Sequence, residues 1–292
     1  MKKILITGSS GLVGSETVEF FYKKKFKIYA IDNDLRSLLF GKESSTLSLK
    51  KYQKEKYPGI NFLNLDIVNY NKLESIFVEN KFDIIIHTAG QPSHDWSAKD
   101  PILDFKVNAL GTINLLELTR KYCSKAVFIY TSTNKVYGDS PNFIKGLKEL
   151  QTRFEVYNNK KLFSINEKFS IDDSKHSPFG VSKTAGDLYV QEYGKYFGLK
   201  TISFRCGCIT GPNHKGAELH GFLSYLVSCI IKNKHYKIFG YKGKQVRDNI
   251  HSSDLINCFW EFFKNPKKGE IYNIGGGRFS NCSISEALNQ VE

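Results

Sequence analysis

The chain lacks paired cysteines, long apolar runs and acid in proportion to its base. Its six cysteines, Cys123, Cys206, Cys208, Cys229, Cys258 and Cys282, contain no C-x-x-C pair. Neither a disulfide framework nor a thiolate zinc site is indicated, and no metal is expected. No apolar run reaches the roughly 18 residues that a membrane span needs. The opening Met1-Lys2-Lys3-Ile4-Leu5-Ile6 is broken by the glycines from Gly8 to Gly14 before a signal-peptide core can form. Membrane insertion is therefore not expected, and a cytoplasmic location is. Asp and Glu number 29 against 42 Lys and Arg, a formal charge of +13. Such a surplus can mark a polyanion-binding surface, but the lysines are spread along the chain and form no basic stripe with interleaved aromatics, so nucleic acid is not an expected partner. What the chain has in quantity is aromatic residue, 16 Tyr and 22 Phe in 292 residues. That is ample for one large α/β domain or two smaller ones.

Lys3 to Ile6 reads as a short apolar strand running into Thr7-Gly8-Ser9-Ser10-Gly11-Leu12-Val13-Gly14, with a helical pattern through Tyr22. In a strand, turn and helix of this kind Gly8 permits the tight turn, Gly11 lets backbone approach a pyrophosphate, and Gly14 allows helix to pack on strand, with the helix N-terminus facing the phosphates. A second strand, Lys27 to Ile31, ends at Asp32, where an acid would take the ribose hydroxyls of NAD and repel a 2′-phosphate. Arg36 could accept that phosphate, but reads better as a solvated loop residue. Strand patterns at Asn61 to Leu65, Ile84 to His87 and Ala126 to Thr131 alternate with helical ones at Asn71 to Phe77 and Pro101 to Tyr122. The class expected is α/β, a doubly wound parallel sheet. Asp66-Ile67 and Thr88-Ala89-Gly90 follow strand ends, where a ligand crevice belongs. For Asp66 a loop cap and an adenine contact are equally open.

These landmarks, with Asn108 in Val107-Asn108-Ala109-Leu110-Gly111-Thr112, the block Thr131-Ser132-Thr133-Asn134-Lys135-Val136-Tyr137-Gly138, Lys183 and Arg247-Asp248, resemble the extended short-chain dehydrogenase/reductases across essentially the whole chain. Within them the likeness is nearest to the NAD-dependent nucleotide-sugar epimerases, in particular CDP-tyvelose (CDP-paratose) 2-epimerases, on Thr133 to Gly138, Lys244 to Asp248 and Asn273-Ile274-Gly275-Gly276. The resemblance implies a Rossmann domain with a smaller C-terminal substrate-binding domain. Residues 1–178 would bind NAD, 179–205 would add a later helix and strand, and 206–292 would be mainly substrate-binding, with 245–264 returning to the Rossmann part. It implies NAD contacts from Gly8, Ser10, Gly11, Leu12, Val13 and Gly14, from Asp32, Asn33, Asp66 and Ile67, and from Thr88, Ala89, Gly90, Asn108 and Lys183. The substrate would be a nucleotide-diphosphate sugar, met by Gln91, Ser93, Asn134, Asn213, Glu218, His220 and, at the diphosphate, Arg247. Dehydratases of the family carry an acidic pair in place of Asn134 and Lys135. The helices Pro101 to Tyr122 and Gly180 to Tyr196 resemble a dimer-forming pair, so a homodimer is expected.

One family landmark is missing. Ser177-Pro178-Phe179-Gly180-Val181-Ser182-Lys183 matches a Tyr-x-x-x-Lys element with Phe179 in place of the tyrosine. The resemblance gives Thr133 the reacting sugar oxygen and Lys183 the nicotinamide ribose, but leaves the proton of that oxygen without its usual acceptor. Three readings stay open: an engineered residue, a natural one with another base such as His94, Asp95, Cys208 or His176, and a protein that binds without catalysis. A reductase or dehydrogenase with a net redox product is the remaining enzyme class. Phe163 to Ser177 and the Lys- and Asn-rich stretch Ser140 to Lys161 read as loops, the second lying over the site. The last helical pattern, from Ser283, runs to Glu292, whereas the family resembled continues further, so either a shorter protein or an incomplete sequence is expected.

Overall fold

Ile4, Leu5 and Ile6 are fully buried, as are Ile84, Ile85 and Ile86. Runs apolar on both faces belong to strands covered on both sides by helices. The computed structural model describes residues 1–158, 161–162, 164–218 and 220–291, with 158, 161 and 162 as backbone only. It begins β1 (Lys3–Thr7), α1 (Leu12–Lys23), β2 (Lys27–Ile31), α2 (Leu35–Phe40), α3 (Leu47–Lys56), β3 (Asn61–Leu63), α4 (Tyr70–Glu79) and β4 (Ile84–His87). Next come α5 (His94–Lys99), α6 (Pro101–Phe105), a π turn Lys106–Leu110, α7 (Gly111–Tyr122) and β5 (Val127–Thr133). The expected single helix Pro101 to Tyr122 is thus interrupted, and α6 exposes Ile102 and Phe105.

The stretch expected as loop from Ser140 to Lys161 instead holds a 3₁₀ turn (Ser140–Phe143) and a small antiparallel sheet of β6 (Leu147–Glu149), β7 (Phe154–Asn158) and β8 (Lys161–Leu162). None of its described residues lines the main cavity. Residues 159, 160 and Phe163 lie outside the described residues. From Ser164 the chain is irregular up to α8 (Ser177–Lys195). Then come β9 (Lys200–Cys206), β10 (Cys208–Thr210), α9 (Phe222–Ile231), β11 (Val246–Arg247), β12 (Asn249–His251), α10 (Ser252–Lys264), β13 (Glu270–Ile274), β14 (Cys282–Ser283) and α11 (Ile284–Val291).

The main sheet has seven parallel strands in the order β13-β9-β5-β4-β1-β2-β3. After β3 the chain returns to the other side of β1, so the winding reverses between β1 and β4, and the carboxyl ends there open a crevice. Helix α10 rejoins this half: Leu255, Phe259 and Phe262 pack in one cluster with Val18 and Phe21 of α1. Each fully buried side chain of this size contributes roughly 1.5–3 kcal/mol. Strand β13, which no sequence pattern marked, adds the far edge from within the stretch expected to be mainly substrate-binding. The expected strand Gln245 to Ile250 divides at Asp248: β11 pairs antiparallel with β14, while β12 runs parallel to β10.

A polar axis crosses the buried sheet. Thr7 Oγ1 accepts the Ala89 amide at 3.3 Å and lies 2.7 Å from His87 Nδ1, while Thr112 Oγ1 donates to Asn108 O at 2.7 Å and lies 3.0 Å from His87 Nε2. Each hydroxyl has one proton, so His87 is neutral with its hydrogen on Nε2. Burial and then Lys183 press its pKa down to about 3.

Candidate active site

At the reversal point the turn after β1 closes on itself. Gly8 has φ +66°, and a Cβ there would lie 2.7 Å from Ala89 N; a Cβ on Gly14 would lie 2.0 Å from Gly8 O. No side chain is tolerated at either place. Asp32 holds the turn from the β2 side, its carboxylate accepting from Ser10 N and Asp34 N, both at 2.9 Å, and from Thr46 Oγ1 at 3.1 Å. The bare backbone above α1, with the acid opposite, is a cradle shaped for a dinucleotide pyrophosphate and its ribose. The buried hydroxyls of Ser10 and Ser132 have no partner among the described residues, and both line the cavity. The residues present fit the group.

That cavity, about 740 Å³, runs from this turn along the strand ends to β11. Its adenosine end takes Ser10, Gly11, Leu12, Val13, Asp32 and Asn33, and its side wall takes Asp66, Ile67, Thr88, Ala89 and Gly90. The far end gathers Thr133, Asn134, Phe179, Lys183, Arg247 and His94; Asn213, Glu218 and His220 line the cavity from the segment before α9, Asn213 donating to Ser15 Oγ of α1 at 3.2 Å and the His220 ring lying 5.9 Å from that of Phe40. Asp66 also caps its own turn, accepting Val68 N at 2.9 Å.

Two residues expected at the ligand, Ser93 and Asn108, do not line the cavity, and a third, Gln91, lines it with its amide turned inward. Ser93 does not line the cavity; it is buried and caps α5, accepting Trp96 N at 3.3 Å. Gln91 lines it, but its amide turns inward, donating to Ser93 O at 2.8 Å and to Asp104 Oδ1 at 2.6 Å. Asn108 is buried behind the wall, where it accepts Gln91 N at 2.9 Å and donates to Gln91 O at 3.0 Å, Asp104 Oδ1 and Ser182 Oγ. It clamps the Gly90–Gln91 turn. Satisfying buried amides this way is worth more than leaving them for a transient partner.

Helix α8 brings in the reacting end. Lys183 Nζ donates to Thr131 O at 2.7 Å and lies 4.3 Å from the centre of the Tyr130 ring. Burial lowers its pKa to about 8, with Cys206, Asp187 and Asp104 opposing. Phe179, 7 % exposed, presents its ring to His94, centroid to centroid 4.7 Å, edge to face. His94 Nδ1 is 2.9 Å from Ser177 Oγ, and Ser177 has φ +64°, a strained value for a residue with a side chain. Desolvation first, then the charges of Lys135 and Arg247, lower the pKa of His94 to about 4 against the pull of Asp95. Thr133, the last residue of β5, accepts the Lys135 amide at 3.2 Å.

Among the lining residues not assigned from sequence, four carry polar groups of note. Arg36 is no solvated loop residue: it donates to Lys215 O at 2.8 Å, stacks over Phe40 and lines the cavity. Lys135 was noted only as not being an acid. His214, beside Asn213, and Tyr236 stand in no sequence pattern that marks them. The signal for Lys135 lies in its place two residues past Thr133 at a strand's carboxyl end.

The NAD dependent epimerase/dehydratase family model matches residues 4–275. A CDP-paratose 2-epimerase of Salmonella typhi is 32% identical, covering 99% of this chain and 83% of that protein. A dTDP-D-glucose 4,6-dehydratase of Dictyostelium discoideum is also 32% identical, covering 99% of this chain and 62% of its own length. The UDP-glucose 4-epimerase of Thermus thermophilus, solved in complex with NAD, superposes with a TM-score of 0.73 at 26% identity, over 99% of this chain and 82% of that one.

Proposed function

The chain belongs to the NAD dependent epimerase/dehydratase family, and we propose that it epimerises a nucleotide sugar, at C2 of a CDP-sugar, through a transient keto sugar. The observation that carries this reading is the pair of residues just past Thr133. The cavity receives Asn134 and Lys135 there, and neither supplies the carboxylates with which an acidic pair removes a proton and expels water. The likeness to the Salmonella typhi 2-epimerase supports the same choice.

When bound, NAD would supply the reversible hydride acceptor that inversion of a carbinol carbon through a keto sugar requires. The glycine turn and Asp32 would hold its pyrophosphate and adenosine ribose, and Lys183 its nicotinamide ribose. On this chain's side, the Thr133 hydroxyl orients the reacting sugar hydroxyl. Phe179 exchanges no proton and forms an apolar wall. His94, neutral at pH 7 and lying against that wall, takes the proton as hydride leaves and gives it back as hydride returns. With Nδ1–H donating to Ser177 Oγ, its Nε2 is left as the acceptor. A second reading, binding without turnover, draws on Phe179 itself.

Proton NMR of CDP-paratose with the NAD-loaded chain, beside Phe179→Tyr and His94→Gln, separates these. The expected result is conversion to the C2 epimer by the chain as it stands, a change of less than about tenfold for Phe179→Tyr, equivalent to ~1.4 kcal/mol of barrier, and loss with His94→Gln. Turnover by Phe179→Tyr alone would make the chain a binding protein. A 4-keto-6-deoxy product would make it a dehydratase, and accumulating NADH a dehydrogenase.

A further inference from the structure

In a parallel sheet every helix returns to the next strand at the same edge, so the turns at the amino ends of the strands lie together, opposite the cavity. Three of these turns are rich in lysine and hold no acid. They are Lys23-Lys24-Lys25-Phe26-Lys27 between α1 and β2, Lys195-Tyr196-Phe197-Gly198-Leu199-Lys200 between α8 and β9, and Lys264-Asn265-Pro266-Lys267-Lys268-Gly269 between α10 and β13. Far apart in sequence, they meet in the fold. Lys27 N donates to Lys2 O at 2.9 Å, the Lys2 ammonium lies 4.8 Å from the centre of the Phe263 ring, and that of Lys24 lies 5.0 Å from Trp260. Phe26 joins the first turn to α10, its ring 6.4 Å from Trp260 and 5.8 Å from Phe263. The turn after α10 then packs on the end of α8: Gly194 meets Gly269 backbone, and a Cβ on Gly198 would lie 3.5 Å from Lys268 Nζ. Lys24, Lys25, Lys195, Lys200, Lys267 and Lys268 are all exposed. Of the lysines in these turns, Lys23 and Lys264 have acids, Glu19 and Glu261, and among the described residues the others have none. The turns at the carboxyl ends, by contrast, carry Asp32, Asp34 and Asp66.

We propose that this amino edge docks the protein on an anionic phospholipid surface, with the cavity turned to solution. Tyr196 and Phe197, 75 % and 47 % exposed, stand between Lys195 and Lys200. Aromatic rings beside ammonium groups on long stems suit the zone where headgroups meet water. The three turns hold no arginine, so the edge presents point charges and not the planar forks that match a phosphodiester. A diffuse layer of headgroups is met by charge alone, and each lysine close to it adds about fivefold in partition. Docking of this kind needs no inserted helix and is independent of which sugar the cavity takes.

The test is sedimentation of the NAD-loaded protein with vesicles of phosphatidylcholine alone and of phosphatidylcholine with one quarter phosphatidylglycerol. Binding to the anionic vesicles only is expected, with its loss between about 0.1 and about 1 M salt, as the screening length falls from about 10 to about 3 Å. Lys24→Glu, Lys267→Glu and Lys268→Glu combined should weaken binding at least about 100-fold, and the same three positions changed to Gln about tenfold or more. Lys42→Glu, Lys145→Glu and Lys175→Glu combined reverse as many exposed lysines away from that edge and should leave binding within a few fold of the parent. NAD binding and melting temperature should match the parent in the Gln variant, which separates docking from folding. Failure of the parent to sediment with the anionic vesicles at the lower salt would overturn the proposal, as would equal sedimentation with the neutral ones. Equal weakening by the two Glu triples would overturn it too, by showing net charge to act without a docking edge. Tighter binding to duplex DNA than to the anionic vesicles would assign the edge to nucleic acid and overturn the membrane reading.

Discussion

On the proposed reading, Phe179 leaves the proton chemistry to the residue that touches it, His94. A positioned base contributes about 10²–10⁴ in rate, so His94→Gln should cost that much in kcat while NAD stays bound. The pH dependence is sharper. In the free protein Lys135 and Arg247 help to hold His94 near pKa 4, and on the nucleotide-sugar reading a bound diphosphate set against Arg247 would cancel part of that push. Because kcat/KM reports the free protein and kcat the complex, the acid limb of kcat should lie at higher pH than that of kcat/KM. Coincident limbs would remove His94 from the role. The sequence allowed His94 as one candidate among several, since a histidine after a strand end has no pattern of its own. Its contact with Phe179 depends on how α5 packs against α8, which spacing along the chain does not encode. Lys135 stayed hidden for a related reason: a lysine becomes informative only when the fold denies it an acid.

At the scale of elements, α8 is the part that holds the site to the sheet. Asp187, on the buried side that also carries Lys183, pairs with Arg205 of β9 through contacts of 2.8 and 3.3 Å. Arg205 then donates to Tyr137 Oη at 3.0 Å, and Tyr137 to Asn273 Oδ1 at 2.7 Å. One chain of bonds therefore fixes α8, β9, β13 and the turn after Thr133. Both charges are almost fully buried, and removing one partner of such a pair typically costs 3–5 kcal/mol. Asp187→Asn should lose stability of about that size in urea unfolding; a loss under ~1 kcal/mol would mean water or another group takes the charge. The glycine turn, β1, β2 and β4 were readable because buried parallel strands and phosphate turns leave dense local signals. The small sheet β6 to β8 was not, since it consists of short strands in lysine-rich chain, and β13 was not, since five half-buried residues alternate with no clear face.

For the whole molecule, the doubly wound order places one cavity at the reversal between β1 and β4, and the substrate-side segment before α9 closes its adenosine end through Arg36 and Lys215. Lys215 Nζ reaches Ser45 O at 2.6 Å. This closure buries His214 and His220 beside Arg36 and lowers their pKa values to about 4 and about 3, chiefly by desolvation. With His87 at about 3 and His94 at about 4, four imidazoles are held neutral by the fold, whereas in the unfolded chain each titrates near 6.5. Below about pH 6.5 the unfolded state binds protons that the folded state refuses, so stability falls with pH down to the folded values near 3 to 4. Lys183 acts in another window. Its folded value, about 8, lies below the ordinary lysine value, so its buried charge weighs against folding below pH 8 and less as pH rises from there towards 10.5. Melting temperatures should accordingly be level between about pH 6.5 and 8 and decline on the acid side. His87→Gln should lower the plateau and flatten the decline. A decline that begins only below pH 5, where carboxylates titrate, would show that the imidazoles are hydrated and charged within the folded chain.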